Sequence, residues 1–119
     1  MEDKESWLLK FEECEASKRF INQVKKLDIY NIVDIQEIKK AIYYARKYHG
    51  TQMRQSGEPY YYHVIEVASI GSAYFLNTNI FVVSILHDTL EDTRLTFEMI
   101  SDIFGSNIAK QVQDLTRIK

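Results

Sequence analysis

The sequence predicts an all-α domain, and three observations support that fold class. Only one proline and four glycines occur in 119 residues, so few positions interrupt a helix. Large apolar residues recur at helical spacing along most of the chain. Residues that cap helices precede several of these stretches, and no alternating strand pattern lasts long enough to compete. We therefore expect about five to seven helices joined by short turns.

The first half of the chain predicts two helical regions. Between residues 7 and 27 the apolar side chains follow one helical stripe, which indicates two helices or one interrupted helix. The mixed charges between them are typical of a solvated face. Asp34 followed by Glu37 has the form of a capping box and predicts the start of the next helix. Gly50 is suited to end it.

The second half predicts four more helices. The sequence "SGEP" is typical of a turn, and Pro59 suits the first position of a helix that we expect from about Tyr60 to Leu76. Asn77 is a cap for the helix that follows. Thr96 is expected to cap a shorter helix that stops at Gly105, and the residues after this glycine form the last helix.

Composition limits the class of protein. A hydrophobic content of 45% is typical of globular proteins, and 119 residues give one small domain. The net charge of −2 provides no bulk attraction to nucleic acid or to an anionic membrane. The single cysteine, Cys14, excludes an internal disulfide, and no apolar run reaches the roughly 18 residues of a membrane span. We expect a cytoplasmic protein that binds neither nucleic acid nor membrane.

The stretch "ILHDTLEDT" places one histidine and three carboxylates in six consecutive positions. On one continuous helix, at about 100° per residue, His87, Asp88, Glu91 and Asp92 would share a face opposite the apolar residues. Carboxylates this close repel one another unless a cation neutralises them. Imidazole with carboxylate oxygens suits manganese, iron or zinc better than calcium or magnesium. The alternative interpretation is an acidic helix end that faces solvent.

Four blocks together extend this hypothesis: "HGTQMRQSGEPYYYH", "LHDTLEDT", "TFEMISDIFG" and "VQDLT". In this order they resemble the hydrolase domain of the RelA/SpoT family. These enzymes are metal-dependent phosphohydrolases of the HD class, which remove the 3′-pyrophosphate of the alarmone (p)ppGpp in the stringent response. The resemblance implies an HD-domain-like helical bundle over residues 34–119. Residues 1–33 are then an N-terminal helical extension of unknown role.

The resemblance also implies three sets of site residues. The metal ligands, usually around manganese (Mn²⁺), are His63, His87 and Asp88. The residues that orient or activate the attacking water are Glu91 and Asp92. The loop that contacts the guanine nucleotide (p)ppGpp contains Arg54, Gln55 and Ser56. His49 matches a position that is not a ligand, so we expect it to be structural or peripheral. The "YYY" run could stack on a base, but we expect it to pack in the core.

The chain departs from the family pattern at three points. Gln55 replaces the lysine that commonly follows the loop arginine, and Val64 replaces the proline that commonly follows the first ligand histidine. The family's last metal ligand is an aspartate on a later helix, beyond the segment that matches "LTRIK". Asp102 and Asp114 do not occupy that position. The resemblance therefore predicts a domain truncated at its C-terminal side.

Two functional interpretations follow from the resemblance, and they differ in class. The first is a (p)ppGpp 3′-pyrophosphohydrolase, impaired to the extent that the last metal ligand is missing. The second is a non-catalytic fragment or split-gene partner that keeps the fold and acts as a homo-oligomer or with a separately encoded C-terminal half. A third interpretation, an HD phosphohydrolase for another nucleotide, is disfavoured by the loop "RQSGEPY".

Overall fold

The structure, a computed structural model, describes residues 6–11, 14–72 and 74–118. These residues form helices and turns, with one isolated antiparallel bridge between Met53 and Pro59 as their only β-type pairing. None of the helices in this part of the chain is long and apolar enough to cross a membrane. The helices are α1 (Trp7–Lys10), α2 (Glu15–Leu27), α3 (Ile35–His49), α4 (Tyr60–Gly71), α5 (Thr78–Leu86), α6 (Thr89–Asp92), α7 (Phe97–Phe104) and α8 (Ser106–Ile118).

The predicted all-α class is confirmed, and so are the predicted helix starts. Asp34, Asn77 and Thr96 each accept a hydrogen bond from the backbone N–H three residues later. In a full capping box the Glu37 side chain would also accept from the Asp34 backbone N–H. Here the Glu37 carboxylate instead forms an ion pair with Lys40 at 2.9 Å. Each of these caps depends on residues less than one helical turn apart, which is why the sequence predicts them.

One hydrophobic core holds the helices together, with α5 near its centre. Helix α5 packs against α3, α4 and α8, while α2 packs against α4. Phe20 of α2 and Phe81 of α5 are both 1% exposed, and their rings meet edge to face at 5.6 Å. Ile21 and Val24 of α2 are buried in the same cluster. Helix α2 is therefore part of the core, a contribution that the sequence alone did not reveal.

Helix α4 ends at Gly71, five residues before the predicted end at Leu76. The Gln23 amide of α2 donates to the Ser69 carbonyl at 3.0 Å and to the Ser72 hydroxyl at 2.6 Å. The Ser72 hydroxyl in turn donates to the Ser69 carbonyl at 2.6 Å. Both side chains therefore donate to the carbonyl of Ser69 in the last turn of α4, which is one of the groups that a helix end leaves without a full set of partners. A tertiary contact thus supports this helix end.

The expectation of one continuous helix through residues 85–93 was wrong. Helix α5 ends at Leu86, and α6 begins at Thr89. The His87 ring Nδ1 is 2.5 Å from the Ser84 carbonyl oxygen, and the Thr89 hydroxyl donates to the Leu86 carbonyl at 2.7 Å. Side chains that bond nearby carbonyl groups in this way compete with the helix. The acidic residues therefore do not share one face: Asp88 is buried, while Glu91 and Asp92 are exposed.

Candidate functional site

The candidate site is centred on the Asp88 carboxylate, which lies in the turn between α5 and α6 and is 3% exposed. The Tyr60 hydroxyl, at the start of α4, donates to Asp88 Oδ2 at 2.6 Å. His87 Nε2 lies 3.1 Å from the same oxygen. The hydroxyl of Thr116 on α8 donates to the His87 carbonyl at 3.3 Å, which ties the turn to the last helix. Three helical regions therefore fix this cluster.

The His87–Asp88 contact has the chemistry of a cation-binding pair. Because a backbone carbonyl only accepts hydrogen bonds, His87 Nδ1 is the donor to Ser84, and Nε2 of the neutral ring carries a lone pair. Nε2 lies 3.1 Å from Asp88 Oδ2, so a proton or a metal cation between the two atoms would satisfy both. Two ligands on one metal with bonds of about 2.1 Å at right angles lie about 3 Å apart. The pair therefore fits a divalent metal.

His63, the third predicted ligand, lies on α4 one turn beyond Tyr60 and is half-buried. Its ring centroid is 5.8 Å from that of Tyr60. Within the described part of the chain, no group of three or more His, Cys, Asp or Glu side chains is placed to hold a metal. The structure thus brings His87 and Asp88 together, and the ligand role of His63 stays a prediction.

Glu91 and Asp92 lie at the surface on α6, one turn beyond His87 and Asp88. Both line a surface cleft with Gln52 and with the basic side chains of Lys47 and Arg94. The two basic side chains are suited to bind a phosphate group. The catalytic role of this acidic pair stays a prediction.

The predicted substrate loop is a tight turn between α3 and α4. The Tyr60 N–H donates to the Gln52 carbonyl and the Arg54 N–H donates to the Glu58 carbonyl, each at 2.9 Å. Gly57 has a φ of +91°, which favours glycine at this position. Arg54, together with Gln55 and Ser56, is exposed at the tip. Because Tyr60 bonds both Gln52 and Asp88, the loop is anchored to the centre of the site.

Tyr60 is a site residue that the sequence did not reveal, since we expected the "YYY" run to pack in the core. Burial is the main cause that raises the pKa of the Tyr60 phenol, and the hydrogen bond and charge of Asp88 raise it further. The phenol therefore stays protonated and acts as a donor. Tyr61 follows the expectation, because its ring is buried in the core cluster.

His49, expected to be structural or peripheral, lies beside this cluster at the end of α3. It is 2% exposed, and its ring centroid is 4.8 Å from that of Tyr60. Burial lowers the pKa of the His49 imidazole from its ordinary 6.5, while Gln52 and the charges of Asp88 and Asp92 partly offset this effect. The ring is therefore neutral in the folded protein near pH 7.

The lowered pKa of His49 predicts that acid destabilises the fold. Above pH 6.5 the ring is neutral in both the folded and unfolded states, so its contribution to stability is fully present. As the pH falls below 6.5, the unfolded state binds a proton that the folded state excludes, and the free energy of unfolding decreases by at most about 1.4 kcal/mol per pH unit. Urea unfolding of wild type and His49→Asn at a series of pH values measures this. Equal slopes for the two proteins would contradict the prediction.

Comparison with known proteins identifies the family to which this fold belongs. The family model described as "HD domain" matches residues 41–119, which include α4 to α8 and the candidate site. The chain belongs to the HD domain family. The predicted resemblance to the RelA/SpoT hydrolase domain is also confirmed, because curated relatives match this HD domain over most of its length.

Three relatives illustrate the similarity. A GTP pyrophosphokinase rsh of Brucella ovis is 42% identical over 88 residues, which is 72% of this chain and 12% of the relative. A GTP pyrophosphokinase of Myxococcus xanthus is 44% identical over 85 residues, 71% of this chain and 11% of the relative. A guanosine-3′,5′-bis(diphosphate) 3′-pyrophosphohydrolase of Aquifex aeolicus is 40% identical over 83 residues, 70% of this chain and 12% of the relative. The HD domain thus spans about one eighth of these relatives.

Proposed function

We propose that this HD domain acts in ppGpp metabolism as a manganese-dependent hydrolase that removes the 3′-pyrophosphate of ppGpp, giving GDP and pyrophosphate. The observation that carries the proposal is the contact of His87 Nε2 with Asp88 Oδ2 at 3.1 Å, which Tyr60 connects to the exposed loop. The relative from Aquifex aeolicus, named for this hydrolase reaction, supports the same substrate. A free Cys14 thiol is consistent with the reducing cytoplasm as the place of action.

The residues of the site have three roles in this proposal: metal binding, positioning and proton transfer. His63, His87 and Asp88 would hold a divalent metal, which would lower the pKa of a bound water and offset charge on the phosphoryl oxygens. The Tyr60 hydroxyl holds Asp88 Oδ2 in place through its 2.6 Å hydrogen bond. Glu91 accepts a proton from the attacking water, with Asp92 beside it.

The exposed loop is suited to bind the nucleotide. Arg54 offers a planar, permanently charged guanidinium that can pair with a phosphate or stack on the guanine. Ser56 adds a hydroxyl on the same turn, while Gln55 provides an amide where a lysine would add charge. We therefore expect weaker nucleotide binding than a loop with two adjacent cations would give.

Incubation of the chain with Mn²⁺ and ppGpp tests the proposal. We expect GDP and pyrophosphate to appear, and we expect EDTA to stop the reaction because the metal supplies the hydroxide. Chromatography of the nucleotides and calorimetry of Mn²⁺ binding are the measurements. A wild-type chain that binds no Mn²⁺ and forms no GDP would contradict the proposed function.

A second candidate function is a non-catalytic or partner-dependent module, and an apolar groove favours it. Val67 of α4, Ile80 of α5 and Leu115 of α8 are each more than one third exposed and line a groove that reaches His87. A homodimer or a separately encoded C-terminal half would bury this surface. Light scattering together with the hydrolysis assay distinguishes the two candidates. A monomer that hydrolyses ppGpp favours the enzyme acting alone, whereas an inactive dimer favours the partner-dependent module.

A further inference from the structure

The buried imidazole of His49 has a tautomer that its neighbours determine. The Gln52 amide nitrogen Nε2 is 2.7 Å from the Asp92 backbone carbonyl, which can only accept. The amide oxygen Oε1 of Gln52 therefore faces His49 Nδ1, at 3.1 Å. Because Oε1 can only accept as well, His49 Nδ1 carries the proton. The neutral ring then has its lone pair on Nε2.

This Nε2 is the exception among the buried polar atoms. Of the buried side-chain nitrogen and oxygen atoms in the described part of the chain, His49 Nε2 alone has no hydrogen-bond partner in the protein. Buried polar groups nearly always have a partner, so an orphaned acceptor of this kind needs an explanation. Structural packing does not supply one, because the contact that holds the ring uses Nδ1.

The position of His49 suggests what its lone pair faces. Its ring lies against the ring of Tyr60, whose hydroxyl donates to Asp88, and the charges of Asp88 and Asp92 both act on the imidazole. Nδ1 is directed to Gln52, so Nε2 lies on the opposite side of the ring. A donor at this point must come from outside the protein. Water held at the carboxylate is the simplest molecule with two O–H donors.

We propose that His49 is a positioning residue whose Nε2 accepts a hydrogen bond from a water molecule held at Asp88, and so orients that water. The inference rests on the hydrolase function proposed above and adds a residue to it. Gln52 has a supporting role, because its side chain joins His49 to the Asp92 backbone while its carbonyl holds the Tyr60 N–H. One glutamine thus couples the imidazole, the acidic helix α6 and the start of α4.

Two substitutions distinguish the role of His49 Nδ1 from the role of His49 Nε2. In His49→Asn the side-chain amide can still donate to Gln52 from the position of Nδ1, but no atom replaces Nε2. In His49→Gln the amide oxygen reaches the position of Nε2, while the donor to Gln52 is lost. A merely structural histidine would tolerate asparagine better than glutamine, whereas the proposed role requires the reverse order.

The measurements are kcat and KM for ppGpp with Mn²⁺, calorimetric affinity for Mn²⁺ alone, and the melting temperature of each variant. For His49→Asn we expect kcat to fall about 10- to 100-fold, the usual effect of losing an outer hydrogen-bond partner at a metal site, with KM unchanged. His49→Gln should keep most of the wild-type kcat. Mn²⁺ affinity should follow the same order.

Each outcome decides the inference. If His49→Asn equals or exceeds His49→Gln, the inference is overturned while the proposed function stands. If the wild type binds no Mn²⁺ and forms no GDP, both fail together. Should the variants not fold, ¹H–¹⁵N spectra of the wild-type histidines decide: a proton on His49 Nδ1 and a shift of the Nε2 signal on adding Zn²⁺, which is diamagnetic and suits this ligand set, support the role. A proton on Nε2, or no shift, overturns it.

Discussion

Asp88→Asn is expected to reduce Mn²⁺ affinity and ppGpp hydrolysis by about 10³-fold or more. This exceeds the roughly 10- to 100-fold effect that is usual when a residue that only hydrogen-bonds to a metal ligand is replaced. Asparagine keeps the volume of the side chain and can accept the Tyr60 hydrogen bond, but it lacks the charge that a metal ligand requires. Calorimetric titration with Mn²⁺ and the rate of GDP formation measure the loss.

The same substitution should leave the metal-free fold intact. Asp88 is 3% exposed, and a buried carboxylate loses much of its hydration. We expect the free energy of unfolding without metal to be unchanged or up to about 1 kcal/mol higher in Asp88→Asn. The matched control is Asp102→Asn, at an exposed position on α7, which should behave as wild type in every assay. Normal Mn²⁺ binding by Asp88→Asn would contradict the assignment of the site.

Phe81→Ala is expected to destabilise the domain by about 3–5 kcal/mol, the usual range for an aromatic side chain removed from a core. Phe81 is 1% exposed and meets Phe20 of α2 at 5.6 Å, so its loss leaves a cavity and removes an aromatic pair. At about 4–8 °C per kcal/mol for a domain of this size, the melting temperature should fall by roughly 12 °C or more. Calorimetry and urea unfolding are the measurements.

The control for this prediction is another phenylalanine of the same chain. Phe75 lies in the turn after α4 and is 57% exposed, so Phe75→Ala should change stability by no more than about 0.5 kcal/mol. A similar effect of the two substitutions would mean that α2 and α5 do not share the core described above. Because the Phe81 side chain has no metal-binding group, folded Phe81→Ala at low temperature should still bind Mn²⁺.

The candidate site was predictable from sequence only where its signal is local. His87 and Asp88 are adjacent in the chain, and the structure brings their side chains together as the sequence predicts. Tyr60 was missed, since its partner Asp88 is 28 residues away and the contact depends on how α4 enters the core. The role proposed for His49 likewise depends on its burial, which the sequence does not show. The spacing "HGTQ", which lets His49 bond Gln52, is a signal that could have indicated this contact.

The sequence alone determined the helical class and most helix boundaries. Caps such as Asp34, Asn77 and Thr96 act through hydrogen bonds within one turn, and Gly50 and Gly105 end helices with positive φ. These effects need no other part of the chain, so residue type and spacing are sufficient to predict them.

Only the tertiary structure decided the features that depend on distant partners. Gln23 of α2 bonds the last turn of α4, and Asp88, in the break between α5 and α6, is buried while Glu91 and Asp92 beyond it are exposed. The tautomer of His49 likewise depends on the Asp92 carbonyl, 40 residues beyond Gln52. The physical reason is the same in each case: burial and hydrogen-bond satisfaction are properties of the packed chain, and spacing along one helix does not contain them.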